Sequence, residues 1–533
     1  MPIESRLAAE SIISTNDNHD RSRALYDLEN AHFCIDARYK VDKVLGKGSY
    51  GTVCSAVDTK STNKVAIKKV SNIFDKEVLL KRAVRELKLM VHFRGHRNIV
   101  NLKDLDIIYD KPYDGLYCYQ DLVENDLTHV IFSGIQFSEF HILSFIYQIL
   151  CGLKYIHSAD VIHRDLKPGN ILVTNKGQLQ ICDFGLARGI NSKYTGFNSP
   201  PITNYVATRW YRAPELILSK SEYTKAVDLW AVGCILGELY GRKPMFMGNN
   251  QLHQITEISK ILGNPTLEVI RKYNWKLYSP GAAALAGGKD AEVTKKSQYS
   301  INTVAPRLQY PGIALLKLYP YACEKALGML QSLLYWDPDS RLNVEQALSH
   351  SFLAEIRSPE NEPVHPTAFD FSFEEDKNHY LRILQQDVER FREEKRTYIN
   401  LNPNMTKPEL EIVRIHVVAD GEVVLDDPEI KHVKVPEGAV VQTTIYFKLK
   451  GGPVKGLKNK KGNAKGGVTI RTTEFVLGDY DDDDEEKVHE AKFPEETAPS
   501  GFLLRGKYTS TSSYYVGDEL IHETVYTTEI VRK

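Results

Sequence analysis

The sequence predicts an α+β body of two lobes followed by an all-β sandwich. Three observations carry this prediction. Short β-branched runs parted by glycines fill residues 38–70, apolar residues at helical spacing dominate up to residue 397, and apolar–polar alternation takes over after Pro403. Of 533 residues, 42% are hydrophobic and 26% charged, which excludes a disordered or collagen-like chain. The formal net charge of -1 supplies no global pull toward nucleic acid or an anionic membrane, so no nucleic-acid partner is expected. No apolar run approaches the roughly 20 residues of a membrane helix, so no transmembrane segment is expected. Glu4, Arg6, Glu10 and Asp17 break up the N-terminus, which argues against a signal peptide and for a reducing compartment. All seven cysteines lie at or before Cys323 and all four tryptophans at or before Trp336. The cysteines show no CxxC spacing and read as buried thiols.

Along the chain, residues 1–37 are polar and aperiodic and read as a flexible tail. Strands are expected at Tyr39–Leu45, Thr52–Val57 and Lys64–Val70. Leu79, Leu80, Ala83, Val84 and Leu87 then predict an amphipathic helix over 75–92. A second helix runs from Phe137 to Ile156, with further helical patterns at 226–240, 251–262, 321–334 and 343–349. Residues 279–300 are Gly/Ala-rich and polar, as a surface insertion would be. Tyr380, Leu381, Leu384, Val388 and Phe391 predict a helix over 374–397 that packs back on the preceding lobe, and 398–407 reads as a linker. Val441, Thr443, Ile445, Phe447 and Leu449 alternate with polar residues, and similar runs at 410–418, 468–477, 502–516 and 520–531 predict the sandwich over 408–533.

Several motifs carry chemistry. GKGSYG at 46–51 sits between two expected strands, where glycines let backbone approach phosphate oxygens; alone, it reads better as a plain hairpin turn, and the motifs that follow reverse that reading. VAIK at 65–68 puts Lys68 on the next strand, where its ammonium needs a carboxylate, and Glu86 on the following helix supplies one. In HRDLKPGN at 163–170, Asp165 is the candidate base, Lys167 neutralises a transferring phosphoryl group and Asn170 holds a metal ion. DFG at 183–185 offers Asp183 as a second metal ligand, and Glu215 of APE is expected to pair with Arg341.

Residues 38–355 resemble a eukaryotic protein kinase, and more narrowly a MAP kinase, because Thr203-Asn204-Tyr205 precedes VATRWYRAPE. The resemblance implies a bilobal kinase fold, with an N-lobe at 38–124 and a C-lobe at 125–397 that includes the MAP kinase insert and C-terminal helix. It implies ATP and Mg²⁺ as cofactors. ATP would meet Leu45, Gly46, Lys47, Gly48, Ser49, Tyr50, Gly51, Val53, Ala66, Lys68, Gln120, Asp121, Val123 and Asp126. Thr203 and Tyr205 would be the activating phosphosites, with Arg85, Arg164 and Arg188 gripping one phosphate and Arg209 and Arg212 the other. Substrates would be proteins with Ser/Thr followed by Pro. TNY, CYQDL around Gln120 and SNIFDKEVLLKRAVREL at 71–87 are similar to the sporulation-specific branch of budding-yeast MAP kinases. That branch implies meiosis and spore wall assembly, and a cytoplasmic or nuclear location with peripheral contact with forming spore membranes. MAP kinases dock basic partner peptides on an acidic patch that here reads Ser358-Pro359-Glu360-Asn361-Glu362. Ser358 and Asn361 replace usual aspartates, so an unconventional activator is expected ahead of a standard upstream kinase.

Residues 408–533 resemble the immunoglobulin-like sandwich of Rho GDP-dissociation inhibitors, through GLK at 456–458, LGDY at 477–480 and EETAPSGFLLRGKY at 495–508. That resemblance implies a Rho-family GTPase partner and a prenyl chain between the sheets. Against it stand NKKGNAKGG after the Leu457-Lys458 pair and Val525 and Thr527 where the family usually has tryptophans. The acidic run 481–486 reads as a solvated loop or a polybasic-tail site. The Lys-rich run 455–465 reads as a flexible hairpin loop or a lipid contact. Two alternatives to the kinase reading remain, a GTPase-binding protein and a fused gene model of two neighbouring reading frames.

Overall fold

The computed structural model describes residues 8–13, 22–28, 31–48, 51–59, 63–189, 207–218, 224–275, 310–374, 379–400, 409–450, 454–465, 468–480, 486–500, 504–516 and 519–533. The insertion expected at 279–300 lies outside them.

β1 (Ala8–Ile13), β2 (Arg23–Leu28) and β3 (Ala31–Asp36) form an antiparallel sheet, which corrects the flexible tail expected for 1–37. The physical reason is a short alternation masked by polar neighbours. Ala24 and Tyr26 on β2, and Phe33 and Ile35 on β3, point to one face and are buried. They cover the outer face of a second antiparallel sheet of β4 (Tyr39–Gly48), β5 (Gly51–Asp58), β6 (Lys64–Val70), β7 (Leu102–Ile108) and β8 (Gly115–Asp121), ordered β4-β5-β6-β8-β7. Arg23 pairs with Asp106 at 2.7 Å, and Lys69 Nζ donates to His32 O at 2.7 Å. The other face of the five-stranded sheet takes α1 (Glu77–His92), with Val84 and Leu87 packed among Val70, Leu102 and Leu116.

β9 (Asn125–Asp126) and α2 (Leu127–Phe132) lead into α3 (Glu139–Ser158), whose start is fixed by a Ser138–His141 capping box. Four short strands follow: β10 (Val161–Ile162), β11 (Ile171–Val173), β12 (Leu179–Ile181) and β13 (Arg188–Gly189). They hold the loops that carry the charged motifs. α4 (Pro214–Leu218) and α5 (Ala226–Gly241) follow; α5 is buried almost all round and forms the centre of the lobe. The helix Tyr380–Asn400 returns to the upper lobe, where Lys88 of α1 meets Asp387 at 2.8 Å and Arg392 pairs with Asp106. It runs three residues past 397, into the span read as a linker.

The C-terminal region is two packed sheets. One is ordered β15 (Glu422–Asp427), β14 (Glu409–Ala419), β17 (Val440–Lys450), β20 (His489–Lys492), with β21 (Glu496–Thr497) also on β17. The other is β16 (His432–Pro436), β23 (Glu519–Val531), β22 (Gly506–Val516), β18 (Val454–Lys465), β19 (Val468–Tyr480), with β16 parallel to β23. The Lys-rich run is therefore an interior strand and not a hairpin loop. Asn459 points inward with no exposed surface, and Lys461 pairs with Glu496 at 2.7 Å. Residues 481–485 of the acidic run lie outside the described residues, and Glu486 pairs with Lys448. The sandwich touches the lower lobe where Phe140 packs on its core, and Arg97, in the segment between α1 and β7, donates both to Thr472 O and, at 2.8 Å, to Asn361 O. Among the described residues no helix is long and apolar enough to cross a membrane.

The N-terminal sheet gives a testable outcome. Phe33→Ala should destabilise the upper lobe by about 3–5 kcal/mol in denaturant unfolding, because a fully buried ring is lost. A free tail would give no change.

Candidate active site

Lys68 stands on the central strand β6, opposite Val53 of β5 on one side and Cys118 of β8 on the other. Its Nζ is ion-paired with Glu86 Oε1 of α1, and both side chains are mostly buried. Burial opposes the charge on Lys68, but Glu86 and then Asp183 outweigh it and raise the ammonium pKa, so Lys68 stays charged. Asp183 occupies a left-handed backbone position at φ +66°, which a short polar residue tolerates. Burial again penalises its charge, yet Lys68, His163 and Lys167 hold Asp183 below the usual carboxylate range.

Asp165 is 7% exposed. Burial raises its pKa, and Lys167 opposes that rise. Lys167 Nζ lies 2.9 Å from Asp165 Oδ2, and Asn170 Nδ2 donates to Asp165 O at 2.8 Å and to Oδ2 at 3.0 Å. The other oxygen, Oδ1, is buried and has no partner among the described residues. The loop is pinned by Asp228 of α5, which accepts from His163 N at 2.9 Å and Arg164 N at 2.8 Å and lies 2.9 Å from His157 Nε2. Burial penalises the charge on Asp228, but His157 and these contacts keep its pKa low. Sequence reasoning did not single out Asp228 or His157. The available signal was an acidic residue early in the otherwise apolar AVDLWAVGCIL.

The remaining residues of the expected nucleotide site are placed as follows along the chain. Leu45 and Lys47 are exposed, and Gly46 has open space where a Cβ would stand. Gly48 and Gly51 close the β4–β5 hairpin, and Ser49 and Tyr50 lie outside the described residues. Ala66 pairs in register with Gln120, Val123 is buried, and Asp121 forms an ion pair with Lys103 at 2.5 Å. Asp126, expected at a ribose, caps α2 by accepting from His129 N at 2.8 Å.

Of the five arginines expected to grip phosphate, Arg85 joins Glu374 at 2.5 Å, and Arg188 lies in the same field. Arg164 and Arg209 share the neighbourhood of Arg212, where burial and these two cations lower the Arg212 pKa. Thr203 and Tyr205 lie outside the described residues. Arg341 and Glu215 form the expected pair, bidentate at 2.6 and 2.8 Å and almost wholly buried. In the docking stretch, Glu362 is turned inward with no exposed side chain and pairs with Arg357 at 3.1 Å and Lys154 at 3.3 Å.

Between the sandwich sheets, two cavities of about 390 and about 60 Å³ share Ile415, Ile430 and Thr524. The inner one has an apolar wall, including Val417 and Ile445, and a polar wall, including Lys461 and Tyr526.

Two family models match this chain. The one described as protein kinase domain covers residues 39–353, and the one described as RHO protein GDP dissociation inhibitor covers residues 385–533. The chain is 50% identical over 394 residues to the sporulation-specific mitogen-activated protein kinase SMK1 of Saccharomyces cerevisiae, across 71% of this chain and 95% of that one. It is 45% identical over 379 residues to the mitogen-activated protein kinase MPS1 of Pyricularia oryzae, across 71% and 86%. It is 44% identical over 377 residues to the mitogen-activated protein kinase SLT2/MPK1 of S. cerevisiae, across 69% and 73%.

Proposed function

This chain belongs to the protein kinase family, within it to the mitogen-activated protein kinases, and from that premise we propose a proline-directed Ser/Thr kinase, switched on at Thr203 and Tyr205, that acts in sporulation. The observation that carries the reading is Asp165 Oδ1, a buried carboxylate oxygen with no partner among the described residues, on a carboxylate whose other oxygen, Oδ2, is held by Lys167 and Asn170. A substrate hydroxyl is the group that would satisfy it, and Asp165 accepts the hydroxyl proton as the oxygen attacks. Lys167 neutralises charge on the group in transfer, and Lys68, held by Glu86, orients the α- and β-phosphates. Asp183 and Asn170 offer hard oxygen donors and would hold Mg²⁺. Bound ATP and Mg²⁺ supply the phosphoryl group and the neutralising charge.

The activation reading rests on Thr203-Asn204-Tyr205 and on the cluster of Arg164, Arg209 and Arg212, which an anion would relieve. The sporulation reading rests on the identity to the sporulation-specific relative. A docking stretch whose Glu362 is internally neutralised supports an activator that does not rely on basic-peptide docking.

A second reading adds binding of a lipid-modified Rho-type GTPase by the sandwich. The cleft between its sheets favours it, and the polar wall at Lys461 and Tyr526 weighs against it.

Two assays check these readings. The doubly phosphorylated full chain should label a Ser-Pro peptide but not its Ser-Ala counterpart, and Asp165→Asn should cut kcat by about 10²–10⁴ while nucleotide still binds. Equal labelling of both peptides, or an unimpaired Asp165→Asn, would contradict the kinase proposal. For the second reading, the full chain should strip a prenylated Rho GTPase from lipid vesicles; no release removes that reading.

A further inference from the structure

Consecutive residues of α1 serve two different parts of the molecule. Glu86 faces Lys68. Arg85, 1% exposed, faces the C-terminal extension, where its Nε lies 2.5 Å from Glu374 Oε1. Lys81, four residues earlier on the same helical face, reaches Glu374 Oε2 at 3.0 Å. Arg85 Nη1 also donates at 3.2 Å to the carbonyl of Gly185, the last residue of DFG. Glu374 is itself only 6% exposed. Burial penalises its charge, but Arg85, Lys81 and Arg188 hold its carboxyl below the usual range. Its backbone is pinned as well, since the buried Tyr380 hydroxyl donates to Glu374 O at 2.9 Å. Arg85 thus ties α1 to the DFG turn and, through the Glu374 carboxylate, to the extension.

We propose that Glu374 is a positioning residue for phosphoryl transfer, fixing the rotation of α1 through Arg85 so that Glu86 meets Lys68. Neighbouring residues on a helix point about 100° apart. A turn of α1 that takes Arg85 off Glu374 therefore swings Glu86 off Lys68. Such a turn is resisted because it would leave buried charges without partners. Glu374 needs no phosphate to do this, so α1 is held in place by the extension itself. The sequence gives no motif for the contact, because 289 residues separate the partners. The inference rests on the kinase reading, and the test separates the two.

The test measures Mg-ATP affinity of the full chain by calorimetry, with thermal melts to confirm folding. Glu374→Gln should weaken Mg-ATP binding about tenfold, and in a Glu86→Gln background the same change should have less than a twofold effect, because the coupling passes through Glu86. Glu374→Asp keeps the charge but retreats by one methylene, so it should fall between Glu374→Gln and the unaltered chain. Should Glu374→Gln not fold, Glu374→Asp with and without Glu86→Gln carries the comparison. Equal losses in both backgrounds, or no loss in a folded variant, would overturn the inference while leaving the kinase reading intact. No binding of Mg-ATP by the unaltered chain would overturn both.

Discussion

The Lys68–Glu86 ion pair is the constraint on which the upper lobe and the active site both depend. A buried ammonium and a buried carboxylate each cost several kcal/mol to desolvate, so the pair holds only with accurate geometry. That geometry draws on the placement of α1, whose Val84 and Leu87 belong to the same buried core as Val70, Leu102 and Leu116 of the sheet. It requires Lys68 to stand in a central strand, with β5 and β8 fixing its register. Asp183 then enters the same field from the lower lobe and stays ionised because Lys68 is there. Asp165, steadied by Lys167, completes a line of alternating charge across the cleft. Charge placed in advance in this way suits a reaction whose catalysis is mostly positioning and electrostatic stabilisation.

Most of this was legible in the sequence because it is local. GKGSYG, VAIK, HRDLKPGN and DFG each lie on one loop or strand, so the motifs themselves pointed to Lys68, Asp165, Asn170 and Asp183. Glu86 was legible because α1 has a clear helical period, and Glu215–Arg341 because APE pointed to it. Three features were not legible, each for a physical reason. The N-terminal sheet is made of strands six residues long, each with few inward side chains, and Arg23 and Asp36 obscure the alternation. The interior strand β18 reads as polar because its inward positions include Asn459 and Lys461, which bond to Ser512 on the neighbouring strand β22 and to Glu496 across the sandwich. Asp228 and Glu374 act over long sequence separations, where no periodicity carries a signal.

The two modules differ in how they fill their interiors. The kinase body buries thiols and indoles around α5, where Trp230 and Cys234 are almost fully covered. The sandwich instead mixes Phe447 and Ile445 with buried Asn459, Ser510 and Thr444, which leaves an interior with one apolar and one polar wall. The Cys/Trp boundary in the sequence marks this change of core chemistry. Chain continuity is not the only link between them, since Arg97 bridges Asn361 and Thr472. The extension has a further consequence. The segment leading to the sandwich also carries Glu374, Asp387 and Arg392, each paired to the upper lobe, so the end of the C-lobe folds back on the upper lobe beside α1.

The most direct measurement is a crystal structure of the full chain with Mg²⁺ and a non-hydrolysable ATP analogue. The account predicts Lys68 Nζ still on Glu86 and touching the α- and β-phosphates, with Asp183 and Asn170 on the metal and Asp165 Oδ1 facing the γ-phosphate. A nucleotide bound elsewhere, or bound in the cleft with Lys68 turned away from both Glu86 and the phosphates, would contradict it.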